Sequence, residues 1–141
     1  MKNAKEYLMS IKTRRKNIKC LERDVEWLES EMTAVNSPFG YAIGGTHKPE
    51  AGFESIVARK MEKEQMLEET KAQFADLLLD ADRVIDAVPD LRARLVLKMY
   101  YLEDKSTADI ARLMFYSKQH VNRLMNKGYQ MMEVPEEKIP A

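Results

Sequence analysis

From Asn3 to Val35 the chain contains neither glycine nor proline and keeps an apolar residue at nearly every alternating three- and four-residue step. Ala4, Ile11, Ile18, Val25 and Met32 fall on one heptad position. Tyr7, Arg14, Leu21, Leu28 and Val35 fall on the other, with Arg14 the one polar member. That spacing holds side chains on one face of a helix, and over more than four heptads it predicts coiled-coil-like packing. At 1.5 Å per residue such a helix is about 50 Å long, too long for a compact globule of this chain length, so it is expected to project. Arg14 is expected to meet an acidic group opposite or to mark register.

The pattern stops between Asn36 and Gly52, where Pro38, Gly40, Gly44, Gly45, Pro49 and Gly52 crowd together. Glycine and proline at this density end helices, and the loop is long for a helix connection. Phe39, Tyr41 and Ile43 are apolar residues able to fold back onto the helix ends. A second seam follows over 53–88: Phe53, Ile56, Leu67, Thr70, Phe74, Leu77, Ala81, Val84 and Val88. Lys60 and Lys63 interrupt it, and Leu78 and Ile85 widen its second half. The simplest partner for each stripe is the other, as an antiparallel hairpin. Pairing between two chains, a homodimer through residues 3–88, satisfies the same pattern. Pro89 ends the second helix, because the residue before proline avoids the α region.

Composition narrows the class. Charged residues are 33% of the chain and hydrophobic ones 45%, with only five glycines and five prolines. This is a helix-rich, all-α composition rather than that of a β-sandwich or a collagen-like repeat. No apolar run is long enough for a membrane span, and no apolar block follows Lys2 and Lys5 as in a secretory signal. The single Cys20 forms no internal disulfide, which points to a reducing, cytoplasmic setting. Cys20, His47 and His120 are too few and too scattered for a metal site. No nucleophile triad, glycine-rich phosphate loop or carboxylate pair stands out, so neither an enzyme nor a cofactor is expected.

The C-terminal third carries the sharpest pattern. Asp90 caps a short helix to Leu102, apolar nearly all round through Leu91, Leu95, Val96, Leu97, Met99 and Tyr100, and so expected to be buried on more than one side. After a polar turn at 103–105, Ser106 and Asp109 form a capping-box-like start. Ser117 opens a further helix from Lys118 to about Lys127, with Gly128 as its natural stop. Ile110, Met114, Tyr116, Val121 and Leu124 are placed as the inner residues of two short helices, and small Ala111 stands where they would cross. This is the internal pattern of a helix-turn-helix, although Phe115 holds the turn position often occupied by glycine. From Glu133 the tail is expected to be poorly ordered.

The formal net charge is zero, but it is unevenly spread. Residues 50–88 hold ten acidic and five basic side chains, whereas 105–127 hold Lys105, Arg112, Lys118, Arg123 and Lys127 against Asp109 alone. A compact basic segment is the electrostatic footprint of a nucleic-acid partner. Lys118, Gln119, Asn122 and Arg123 are the residues expected to read base edges, since Gln and Asn pair with adenine and Arg with guanine. Lys105, Thr107, Arg112, Ser117, Asn126 and Lys127 are expected at the DNA backbone. The plain alternative is the solvated face that any small helical bundle presents.

Residues 90–132 resemble region 4 of the sigma-70 factors. The resemblance rests on Leu95-Val96-Leu97-Lys98-Met99-Tyr100-Tyr101, on Ser106 through Leu113, and on Tyr116-Ser117 through Leu124. The whole chain is similar to small phage and prophage regulators of Gram-positive bacteria, the RinA/ArpU-like and sigma-region-4-like group. The matching features are its Asn3-Ala4-Lys5-Glu6-Tyr7-Leu8 start, its Ser37-Pro38 loop and its acidic second helix. The resemblance implies control of phage late genes in a bacterial host, with RNA polymerase as a candidate partner. Without a sigma region 2, the chain is not expected to act as a complete sigma factor.

Two other classes fit the same residues: a phage DNA-packaging protein of the small-terminase kind, and a helical interaction protein that ignores DNA. The expected domains are a two-helix segment over 1–88, a helix-turn-helix module over 89–132 and a tail over 133–141. Lys12, Arg14, Arg15, Lys16 and Lys19 read as the solvated face of the coiled coil rather than as contacts to DNA backbone, and the ten methionines as core filler rather than as a promiscuous binding groove. Trp27, off the seam, is either a partner contact or a cover for the loop aromatics.

Overall fold

The structure, a computed structural model, describes residues 2–36 and 49–134, most of them helical and none in a strand. The elements are α1 (Lys2–Asn36), α2 (Pro49–Asp86), α3 (Leu91–Leu97), α4 (Thr107–Met114) and α5 (Lys118–Met131). A π-helical turn, Lys98–Leu102, prolongs α3. The expectations for Phe39, Tyr41 and Ile43 and for the tail beyond Val134 lie outside the described residues. α2 begins at Pro49, four residues before the expected start at Phe53 and inside the stretch expected to be loop, because a proline's missing N–H costs nothing at a first helical position. The helix closes at Asp86, two residues short of the expected end. None of the described helices is long and apolar enough to cross a membrane.

The chain divides into two compact units, and the boundary cuts across both long helices. The unit over Lys16–Gln73 is built from α1 and α2 alone. Leu21 and Leu28 are buried on its seam, while Ile18, Val25, Met32, Val35, Ile56 and Leu67 are half-buried. The two lysines that interrupt the second stripe have a purpose in this chain. Lys63 Nζ lies 3.0 Å from Asp24 and Lys60 Nζ 3.4 Å from Glu29. Partners recede along α2 as they advance along α1. Their stems cover the seam while the ammonium groups reach its rim. Trp27 is 62% exposed and Met61 65% exposed, so the methionines are only partly core.

The second unit takes α1 as far as Arg15 and the chain from Phe74 onward. Its fully buried centre includes Tyr7, Leu8, Ile11, Ile85, Val88, Val96, Leu97, Tyr101, Ile110 and Val121. Here the buried face of α1 departs from the strict heptad. Leu8 and Arg15 turn inward, while seam residue Arg14 is exposed. Ala4, Tyr7, Leu8, Ile11 and Arg15 follow the i, i+3, i+4, i+7, i+11 spacing of a 3.6-residue helix, a stripe wider than a two-position heptad seam, and Arg14 falls at its edge.

Two residues expected on a solvated face are therefore structural. Arg15 Nη2 donates to the carbonyls of Tyr101 at 2.9 Å and Leu102 at 3.2 Å, and the guanidinium lies 5.3 Å from the Phe74 ring centre. Lys12 Nζ sits 3.8 Å over the Tyr100 ring and 3.4 Å from Asp104. Both clamp the end of the π-turn, where carbonyls have no helical partner. Glu103 N–H closes the turn on Lys98 O at 3.0 Å, and Asp104 takes the left-handed conformation at φ 58°. Tyr101 Oη meets Tyr129 Oη at 2.5 Å inside the core, and burial pushes both phenols above their ordinary pKa.

The third helix differs from expectation. Ala93, Val96 and Leu97 are buried, but Leu91 is 59% exposed and Leu95 39% exposed. α3 itself thus buries one face, which packs against α5, while the π-turn that prolongs it is buried at Tyr101 and half-buried at Met99, Tyr100 and Leu102. Gly128 is likewise not a stop, because α5 runs on to Met131. A Cβ built on Gly128 would lie 2.5 Å from Leu97 Cδ1 and 3.5 Å from Ala93 Cβ. The glycine is there because α5 presses its backbone against α3, which no local stop signal reveals.

Candidate nucleic-acid interface

The serine caps form as the sequence requires. Ser106 Oγ accepts from Asp109 N–H at 3.1 Å, and Ser117 Oγ accepts from His120 N–H at 3.1 Å. The reciprocal half of the first capping box is absent. The Asp109 carboxylate turns to Arg112 instead, since aspartate is one methylene shorter than the usual glutamate. Between α4 and α5 lies a three-residue connection, Phe115 to Ser117. Phe115 caps α4 in the left-handed region at φ 58°, ψ 41°, and Tyr116 N–H returns to Ala111 O at 2.9 Å. Ala111 is buried.

One side of α5 packs inward through Val121, Leu124, Met125, Gly128 and Tyr129, against α3 and α4. The other side carries Lys118, Gln119, Asn122, Arg123 and Asn126, all exposed. At 100° per residue these five span about 140° of the helix circumference. None of their side chains bonds to another described residue. His120 lies between the two faces, half-buried, with its ring edge-on to Tyr116 at 4.5 Å.

The residues expected at the DNA backbone are less uniform. Ser117 is occupied as a cap, and Thr107 is half-buried at the start of α4. Lys105 lies 2.6 Å from Glu103, Arg112 pairs with Asp109, and Lys127 lies 2.7 Å from Asp90. Asp90 also caps α3, accepting from Arg92 and Ala93 N–H. The Lys127 hydrogen bond, then the cap amides, hold the Asp90 carboxyl below the usual carboxylate range. Glu103, two residues before the basic segment, and Asp90, fifteen before it, both pair with its lysines. Counting them halves its excess of four cations. Lys118 and Arg123 are the two of its five cations without an acidic neighbour among the described residues.

Comparison with family models, with curated proteins and with solved structures finds no match for this chain.

Proposed function

We propose that this chain is a sequence-specific double-stranded DNA-binding regulator of transcription. In this reading α4 and α5 act as a helix-turn-helix, α5 enters the major groove, and α1 with α2 forms an antiparallel hairpin that carries the module. The observation that supports it best is the exposed face of α5. Lys118, Gln119, Asn122, Arg123 and Asn126 stand side by side on it without internal partners, on a helix whose opposite side is anchored. Side chains of these types match base edges in the major groove. Lys118 and Arg123 supply charge that no acid among the described residues neutralises. Lys105, Arg112 and Lys127 add phosphate contacts only by exchanging their carboxylate partners, which places them second. The sequence resemblance to phage regulators favours late-gene control, with RNA polymerase as a further partner.

The test is footprinting of the purified protein over DNA neighbouring its own gene, with anisotropy titrations at several salt concentrations. Binding is expected to fall with salt by a slope of about −0.9 per phosphate neutralised. Arg123→Ala is expected to lose about 5- to 150-fold in affinity, corresponding to about 1–3 kcal/mol for a bidentate base contact, and to relax the preference at one base pair. Light scattering should give a monomer or dimer, whereas a packaging subunit should form a ring. A protein that shows no salt-dependent binding to duplex DNA refutes the proposal.

A further inference from the structure

Phe115 combines two unfavourable features at one position. Its ring is 94% exposed, and its backbone lies at φ 58°, a region that glycine occupies freely and that a Cβ resists. The local architecture explains the backbone and not the ring. The left-handed residue lets Tyr116 N–H reach Ala111 O and close α4, and glycine would do this with neither cost. The ring makes no aromatic or cation contact with any described residue. A backbone outlier of this kind is a reason to look for function.

The surroundings indicate what the ring meets. Phe115 lies two residues before the cap of α5, next to the helix end where base contacts concentrate in a helix-turn-helix. Lys118, three residues on, has no acidic neighbour among the described residues, and Arg112, three residues back, is mostly exposed. Protein-interface cores favour aromatic residues and arginine but are depleted of lysine, and it is Lys118, without an acidic neighbour among the described residues, that stands beside this ring. The ring suits a groove whose walls are phosphates and whose floor carries methyl groups. We infer, resting on the DNA-binding reading above, that Phe115 is a specificity-determining residue that packs against the 5-methyl group of a thymine in the major groove, a contact open to phenylalanine.

The experiment uses the full chain and its footprinted duplex, with each thymine replaced in turn by deoxyuridine, which removes only the methyl group. The wild-type protein is expected to lose about fourfold at one position, the value of one buried methylene-sized group. Phe115→Ala and Phe115→Gly are expected to bind the thymine duplex more weakly and to be indifferent to uracil at that same position. Both should remain folded, because the ring covers nothing; thermal melts check this. The inference is overturned if the variants match wild type in affinity and in uracil sensitivity while Arg123→Ala still loses binding. That result would leave the DNA-binding reading standing and assign the ring to a protein partner. If wild type binds no duplex, the DNA-binding reading and this inference fall together.

Discussion

Replacing Arg15 tests how the first helix is tied to the C-terminal helices. Its Nη2 donates to two carbonyls, those of Tyr101 and Leu102, at a helix end where no amide is available. The side chain is 17% exposed and Tyr101 is fully buried, so water can replace these bonds only in part. Hydrogen bonds to a charged donor contribute about 1.5–3 kcal/mol each, and a stranded acceptor costs about 1–3 kcal/mol. The contact with Phe74 adds about 0.5–1 kcal/mol, while the ion pair to half-exposed Asp104 adds little. Because one nitrogen serves both carbonyls, the terms overlap, and Arg15→Ala should lose about 2–4 kcal/mol. For a chain of this size that is a Tm fall of roughly 10 °C, at about 3–4 °C per kcal/mol. Arg15→Lys should recover about half, since an ammonium keeps the charge but not the planar fork. Urea denaturation gives the magnitude. Hydrogen exchange at Glu103 and Lys105, whose amides close the turn on Lys98 and Met99, gives the place. An alanine variant within about 0.5 kcal/mol of wild type, the usual size of a surface change, would refute the reasoning.

Three further outcomes are expected. Gly128→Val should lose about 2 kcal/mol in chemical denaturation, because its Cβ would overlap the fully buried Leu97 and overpacking costs about 1–3 kcal/mol; unchanged stability would mean that Leu97 has room to move. Phe115→Gly should gain about 0.5–1 kcal/mol, the left-handed penalty of about 1–2 kcal/mol less the extra backbone entropy of glycine, and a lower Tm would contradict the exposed ring. Asp90 has its folded pKa lowered by Lys127 and the cap. Its contribution is therefore present above the ordinary carboxylate pKa and is lost as pH falls through the lowered folded value. Asp90→Asn should flatten the acid limb of a stability-against-pH curve, and an unaltered limb would show that the pairing is inconsequential.

Much of the helical order is written locally. Serine caps, Pro89 and the seams announce α1, α2, α4 and α5 because capping and periodicity act within a few residues. The outward face of α5 is legible for the same reason, since Lys118, Gln119, Asn122, Arg123 and Asn126 follow from helical geometry alone. The partners of the basic segment are not legible in this way. Asp90 and Glu103 reach Lys127 and Lys105 from outside the window in which the charges were counted. The seam gave no sign that Lys12 and Arg15 leave solvent for the end of the π-turn, because heptad counting treats the helix as having one partner.

By itself, then, the sequence determines an all-helical chain, its helix starts and the polar face of its last long-enough helix, since each follows from backbone hydrogen bonding and side-chain period over a turn or two. Only the tertiary structure decides that Gly128 is a contact instead of a stop, that α3 leaves Leu91 exposed, and that Arg15 belongs to Tyr101 and Leu102. These depend on how closely two distant backbones approach, and that distance is set by the packing of the whole unit.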